Sequence, residues 1–126
     1  MNHKTEKKVL VVDNNEVIQQ LITKLAEKYG ASVTAAASAR DVTRILAEKA
    51  CRFDLFILEL ILPEITGWEI LGTLRARPET KDTPIVVLTG PLSSQEKEKI
   101  LQKANAVIEK NKFTLTDFNK VLNQWL

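Results

Sequence analysis

The stretch KKVLVVDNNEVIQQLITKLAEKYG, residues 7–30, changes hydrophobic period part-way along, and that change decides the fold. Lys7–Asp13 is a short β-branched apolar run without polar alternation, the pattern of a strand buried on both faces of a parallel sheet. From Glu16 onward, Val17, Ile18, Leu21, Ile22, Leu25, Ala26 and Tyr29 recur at spacings of three and four. That spacing predicts an amphipathic helix, and Gly30 stands where a helix C-cap belongs. A doubly buried strand feeding such a helix is the opening half of a βαβ unit.

The same alternation continues to the end of the sequence. Ala31–Ala37 reads as a weaker second strand, and Ser38 with Asp41 resembles a capping box opening a helix through Ile45 and Leu46. Phe53–Leu58 is the third strand, and Trp68, Ile70, Leu71 and Leu74 mark a helix that must stop before Pro78. Pro84–Gly90 is the fourth strand, followed by a helix with Ser93 and Glu96 at capping spacing. Ala106–Glu109 is a short fifth strand. Thr114 and Asp117 then open a last helix expected to bury Leu115, Phe118, Val121, Leu122 and Trp125. Five strands alternating with five helices predict a doubly wound α/β sandwich, and right-handed crossovers leave few arrangements open. The domain is expected over residues 7–126, with 1–6 a flexible tail carrying His3 as spectator. The last helix uses up the chain, leaving no stretch for an effector domain within it.

Composition narrows the function classes. A chain of 126 residues, 44% hydrophobic and 27% charged, suits one ordinary globular core, and no apolar run approaches the ~20 residues that span a bilayer. No secretory signal precedes the first strand, so the expected location is the cytoplasm. Cys51 is the single cysteine, which excludes an internal disulfide and a multi-cysteine metal site and suggests an inert thiol. Lys and Arg number 18 against 16 Asp and Glu, giving +2, and no basic stripe with interleaved aromatics points to nucleic acid.

In doubly wound sheets, function collects at the carboxyl ends of the strands. Asp13 and Asn14 end the first strand, Glu59 the third, Thr89 the fourth and Lys110 the fifth. Glu59 stands out because it lies in DLFILELILP, residues 54–63, where apolar neighbours would bury a charge that is costly unless paired. Simpler roles exist for each: Asp13 and Asn14 as caps of the first helix, Thr89 as a strand residue, and Glu59 with Lys110 as a purely structural ion pair.

With VVDNNE, DLFILELILPEITG, PIVVLTG and AVIEK in register, the chain resembles the response-regulator receiver domains of two-component signalling, from about Lys7 to Leu126. The resemblance implies a flavodoxin-like (βα)5 sandwich with a parallel sheet in strand order 2-1-3-4-5. It implies a protein partner, a histidine kinase or another signalling protein, and no enzyme activity, nucleic acid or membrane within this domain. In the family, a kinase's phosphoryl group moves to an aspartate with Mg2+ bound, a threonine and a lysine hold its oxygens, and the fourth helix, fifth strand and fifth helix report the change. Thr89 and Lys110 match those two residues.

The chain departs from that pattern at decisive positions. Glu59 matches the phosphoacceptor, which sets its carboxylate one methylene, about 1.5 Å, further from the backbone. A displacement on the order of 1 Å costs about a hundredfold in a geometry-sensitive step. Asn14 matches an acid that ligates Mg2+ in the family, leaving Asp13, Glu59 and the Ile61 carbonyl as a weak metal set for a cation that favours anionic oxygen. Val107 matches the aromatic switch position. The resulting expectation is a divergent receiver, a pseudo-receiver not phosphorylated by the usual route, in which Glu59 pairs with Lys110 and is bonded by Thr89. It acts as a protein-interaction module, a monomer or weak homodimer, with Lys97, Lys99, Lys103, Asn105 and Lys112 as candidate contacts. Gly67 is expected to supply a positive backbone dihedral, and Trp68 to be partly buried. The alternatives are a conventional Mg2+-dependent phosphorylated receiver and a small flavin- or nucleotide-binding domain. The latter is opposed by the four glycines, none arranged to approach a phosphate.

Overall fold

A computed structural model describes residues 6–48, 52–62, 66–112 and 114–126. Nearly all of the expected tail, with His3, and Cys51 lie outside the described residues; Glu6 is exposed. The elements alternate as β1 (Lys7–Val12), α1 (Glu16–Glu27), β2 (Ala31–Ala36), α2 (Ala39–Leu46), β3 (Leu55–Leu58), α3 (Gly67–Ala76), β4 (Ile85–Thr89), α4 (Ser94–Leu101), β5 (Ala106–Glu109) and α5 (Leu115–Trp125). The strands form one parallel sheet in the order β2-β1-β3-β4-β5. No helix among the described residues is long and apolar enough to cross a membrane.

The uninterrupted apolar strands are explained by helices on both faces of the sheet. Val9, Val11, Leu55, Ile57, Val86, Leu88 and Ile108 pack with Ile22, Leu25 and Ala26 of α1 and Phe118 and Leu122 of α5. The alternate residues Leu10, Val12, Phe56, Leu58, Ile85 and Val87 pack with α2, α3 and α4 through Val42, Leu46, Ile70, Leu71, Leu74 and Ile100. Because successive side chains point to opposite faces, Val9–Val12, β3 and Ile85–Leu88 must be apolar at every position to supply both cores, whereas the edge strand β2 carries Ser32 and Thr34.

Local signals place the helix ends with some corrections. The first helix is capped by Asn15, whose Oδ1 accepts from the Val17 and Ile18 amides at 2.9 and 3.2 Å. Neither Asp13 nor Asn14 fills that role. Ser38 accepts from the Asp41 amide at 3.2 Å, but the Asp41 carboxylate reaches back to the Ala37 amide, so the box is not reciprocal. The boxes at Ser93/Glu96 and Thr114/Asp117 are complete. Val17 and Leu115 are exposed at 72% and 56%, against the expectation that both are core residues. Each sits in a first helical turn at the rim of the sheet, where no opposing layer covers it. Trp68 is 38% exposed on the outer side of α3.

Gly67 does not supply a positive dihedral; among the described residues only Gly30 does, with φ 77°. Gly67 is needed for closeness instead. A Cβ there would collide with the Glu59 carbonyl and lie 2.6 Å from the Leu60 Cα. The Gly67 amide donates to the Leu60 carbonyl at 2.7 Å, so the start of α3 is pressed directly onto the end of β3. We expect Gly67→Ala to destabilise the domain by about 1–3 kcal/mol, because backbone atoms must move to admit the methyl group. Urea denaturation checks this, with Gly30→Ala as the contrasting case: a strained dihedral but open space around it.

Candidate functional site at the carboxyl edge of the sheet

The carboxyl ends of β1, β3 and β5 bring three charged side chains to one point. Asp13 follows β1, Glu59 follows β3 and Lys110 follows β5. The Lys110 ammonium lies 2.7 Å from Asp13 Oδ2 and 3.0 Å from Glu59 Oε1, donating a hydrogen bond to the latter. The backbones that carry these groups are themselves tied: the Glu59 amide to the Val12 carbonyl at 2.8 Å, and the Lys110 amide to the Thr89 carbonyl at 2.7 Å.

Both acids are buried, Asp13 at 1% and Glu59 at 7% exposure, so each needs compensation for the water it has lost. Glu59 Oε2 accepts from the Leu60 amide at 2.8 Å, and Asp13 Oδ1 accepts from the Asn15 amide at 2.9 Å. Asp13 Oδ2 has no hydrogen bond of good angular geometry, so its charge is met by the nearby ammonium alone. Burial pulls the Lys110 pKa down, but the bonds and charges of Asp13 and Glu59 outweigh it, and the pKa is raised above the ordinary 10.5. The ammonium therefore stabilises the fold at pH values below 10.5, and that contribution is lost as the pH climbs through the higher native pKa.

Other expected members of the site stand differently. Thr89 is buried at 2% beside the cluster, but its hydroxyl makes no hydrogen bond to Glu59. The second carboxylate oxygen of Glu59 is taken by its neighbour's backbone instead. Asn14 is exposed and its side chain bonds to no described residue. Ile61 is 73% exposed, and Val107 is half-buried against the core beneath α4. A divalent cation fits these residues poorly. The ammonium already lies between the two carboxylates that meet here, and among the described residues no group of three His, Cys, Asp or Glu side chains is placed to hold a metal.

Sequence reasoning missed Glu109, the residue before Lys110. Its carboxylate is buried at 7% exposure; Oε1 accepts from the Leu92 amide at 2.8 Å, and Oε2 lies 3.2 Å from Lys97 and 3.5 Å from Lys112. The Leu92 bond, then Lys97, hold its carboxyl below the ordinary 4.5. Its stabilising contribution is thus present above pH 4.5 and lost as the pH falls through the lower native value. The available signal was an acid inside the otherwise apolar strand AVIE.

The candidate contact set changes accordingly. The amines of Lys97 and Lys112 are drawn to Glu109; Lys99 is exposed on α4 and its charge acts on the Glu96 carboxylate, and the exposed Lys103 carries its ammonium over Gly72 of α3. Asn105 is a structural residue: its Oδ1 accepts from Arg75 and from the Ile85 amide, both at 2.9 Å. Arg75 also donates to the carbonyls of Lys103, Lys81 and Thr83 at 2.6, 3.0 and 2.7 Å, fastening the opposite edge of the sheet.

A five-stranded 2-1-3-4-5 sheet with an acid-and-lysine cluster at its carboxyl edge defines the CheY-like class of signalling domain. The chain belongs to the response regulator receiver domain family, which it matches over residues 9–122. It is 30% identical to the chemotaxis response regulator CheY4 of Vibrio cholerae, with a TM-score of 0.81 covering 97% of this chain and all of that one. It is 28% identical over 118 residues to the transcription factor SKN7 of Saccharomyces cerevisiae, and 31% identical over 100 residues to the two-component response regulator-like APRR9 of Arabidopsis thaliana. These alignments cover 94% and 79% of this chain but only 18% and 20% of those relatives. The protein is thus a receiver domain of two-component signalling, a family whose members work with histidine kinases and other signalling proteins.

Removing the shared cation exposes the cost of burying both acids. Replacing Lys110 with methionine is expected to destabilise the domain substantially, somewhat below the ~3–5 kcal/mol of a fully buried pair because the lysine side chain is 23% exposed. Glu59→Gln, which leaves Lys110 to Asp13, should cost less. Chemical denaturation of both variants at neutral pH gives the comparison.

Proposed function

We propose that this receiver acts as a protein-interaction module that signals without phosphoryl transfer to Glu59. One observation carries the reading: the Glu59 carboxylate is engaged on both oxygens, by Lys110 at 3.0 Å and by the Leu60 amide at 2.8 Å. A phosphoryl transfer from a donor would have to free at least one of these oxygens to form the new O–P bond and then accommodate a larger, more highly charged group, since phosphate carries about −1.5 to −2 where the carboxylate carries one charge. Lys110 already engages the two carboxylates that a divalent cation would need, and Asn14 supplies no anionic oxygen, which supports this reading. Mg2+ is therefore bound weakly if offered, and the Glu59–Lys110 pair serves as a permanent, partial counterpart of a modified acid.

The partner side in this reading is the face formed by α4, β5 and α5, with the exposed Lys99 of α4 as its basic contact. A histidine kinase or another signalling protein binds it in a manner independent of phosphodonor.

Incubation with acetyl phosphate and Mg2+ followed by intact-mass measurement is expected to leave the protein unmodified. A phosphoryl adduct that disappears in Glu59→Ala would overturn the reading and return the chain to the conventional Mg2+-dependent class. Titration with Mn2+ followed by paramagnetic line broadening should show no saturable site in the wild type.

A further inference from the structure

We propose that Glu109 is a positioning residue that latches the β4–α4 loop and α4 into one arrangement, whatever the state of Glu59. The adjacent residues Glu109 and Lys110 reach in different directions. Lys110 reaches to Asp13 and Glu59, while Glu109 reaches to the Leu92 amide in the loop and to Lys97 one turn into α4. β5 is anchored beneath them, because Glu109 is in register with Thr89 and the Lys110 amide donates to the Thr89 carbonyl at 2.7 Å.

The built part of this connection is the Leu92 bond to a buried carboxylate; the two lysines that complete it are exposed, Lys97 at 40% and Lys112 at 68%. The Glu109 side chain is only 6% exposed, and each carboxylate oxygen has its own partner: Oε1 the Leu92 amide, Oε2 the Lys97 and Lys112 amines. Charged groups facing it come from α4 and from the turn after β5, and Asp117 of α5 lines the same cavity of about 210 Å³. One oxygen of Asp117 accepts from the Thr114 amide, 3.1 Å away, and among the described residues the ion pairs of Lys97 and Lys112 are to Glu109. A buried carboxylate accepting a backbone N–H makes one of the stronger hydrogen bonds available to a loop. Here it sets where α4 begins, and the Ser93/Glu96 box then continues the helix from that point.

The consequence, resting on the α4, β5 and α5 face as the partner side, is a docking surface held in a fixed geometry by an ordinary side chain. The latch is tested apart from that reading by amide hydrogen exchange on the full chain, comparing wild type with Glu109→Ala, Glu109→Gln, Lys97→Ala and Glu59→Gln. In Glu109→Ala the Leu92 amide and the first turn of α4 are expected to exchange about tenfold faster or more, with β1 and β3 amides unchanged relative to global stability. Glu109→Gln, which keeps an acceptor for Leu92, should restore protection at Leu92 but not at α4, and Lys97→Ala should loosen α4 alone. Glu59→Gln should leave Leu92 unaffected. Uniform acceleration across the domain, no change at Leu92, or release of Leu92 by Glu59→Gln would each overturn the latch. Phosphorylation at Glu59 is read separately by mass, so the two proposals fail independently.

Discussion

One ammonium holding two buried carboxylates is the interaction on which the carboxyl edge of this domain depends. Asp13 and Glu59 come from strands separated by 46 positions in sequence but adjacent in the sheet, and both lose nearly all contact with water. Such a pair would repel and pay for desolvation together if left alone. Lys110, arriving from β5 two strands away from β3, supplies the charge that makes the arrangement tolerable.

Glu59 is engaged on both of its carboxylate oxygens. Glu59 has enough reach to contact Lys110 with one oxygen while turning the other back to the Leu60 amide. Gly67, packed against the Glu59 and Leu60 backbone, holds that turn from the other side. The hydroxyl of Thr89 is left without a part in the pairing although it lies at the same edge. In the function proposed above, the Glu59–Lys110 pair serves as an electrostatic strut.

At the opposite edge of the sheet a second cation does comparable work on neutral groups. Arg75 gathers the carbonyls of Thr83, Lys81 and Lys103 and the Asn105 side chain, joining the end of α3 to the starts of β4 and β5. Burial lowers its pKa, with Asp82 opposing that shift. β4 and β5 are thus fastened at both ends by positive side chains, Arg75 below and Lys110 above, with Glu109 linking the upper end to α4.

The fold was legible because its signals are local and repeated. Central strands with continuous apolar runs, helices with three-four spacing and complete capping boxes at Ser93 and Thr114 are properties of neighbouring residues, and the sheet required little more. Where local signals were nearly equal, reading failed: Asn15 and not Asn14 caps α1, and the apolar pattern swept in Val17 and Leu115 because periodicity cannot tell which helical turn overhangs the layer. The candidate acids and the lysine were visible from their positions at strand ends. Which oxygen each group would meet was not, because hydrogen bonding depends on angstrom-scale placement of chains 51 residues apart. Sequence by itself determined the βα alternation, the doubly buried sheet and the identity of the residues at its rim. Tertiary structure alone decided that Thr89 stands aside, that Gly67 is required for close approach, that Asn105 is a brace and that Glu109 is buried. Each of those outcomes depends on distances between segments that carry no record of one another in a linear pattern.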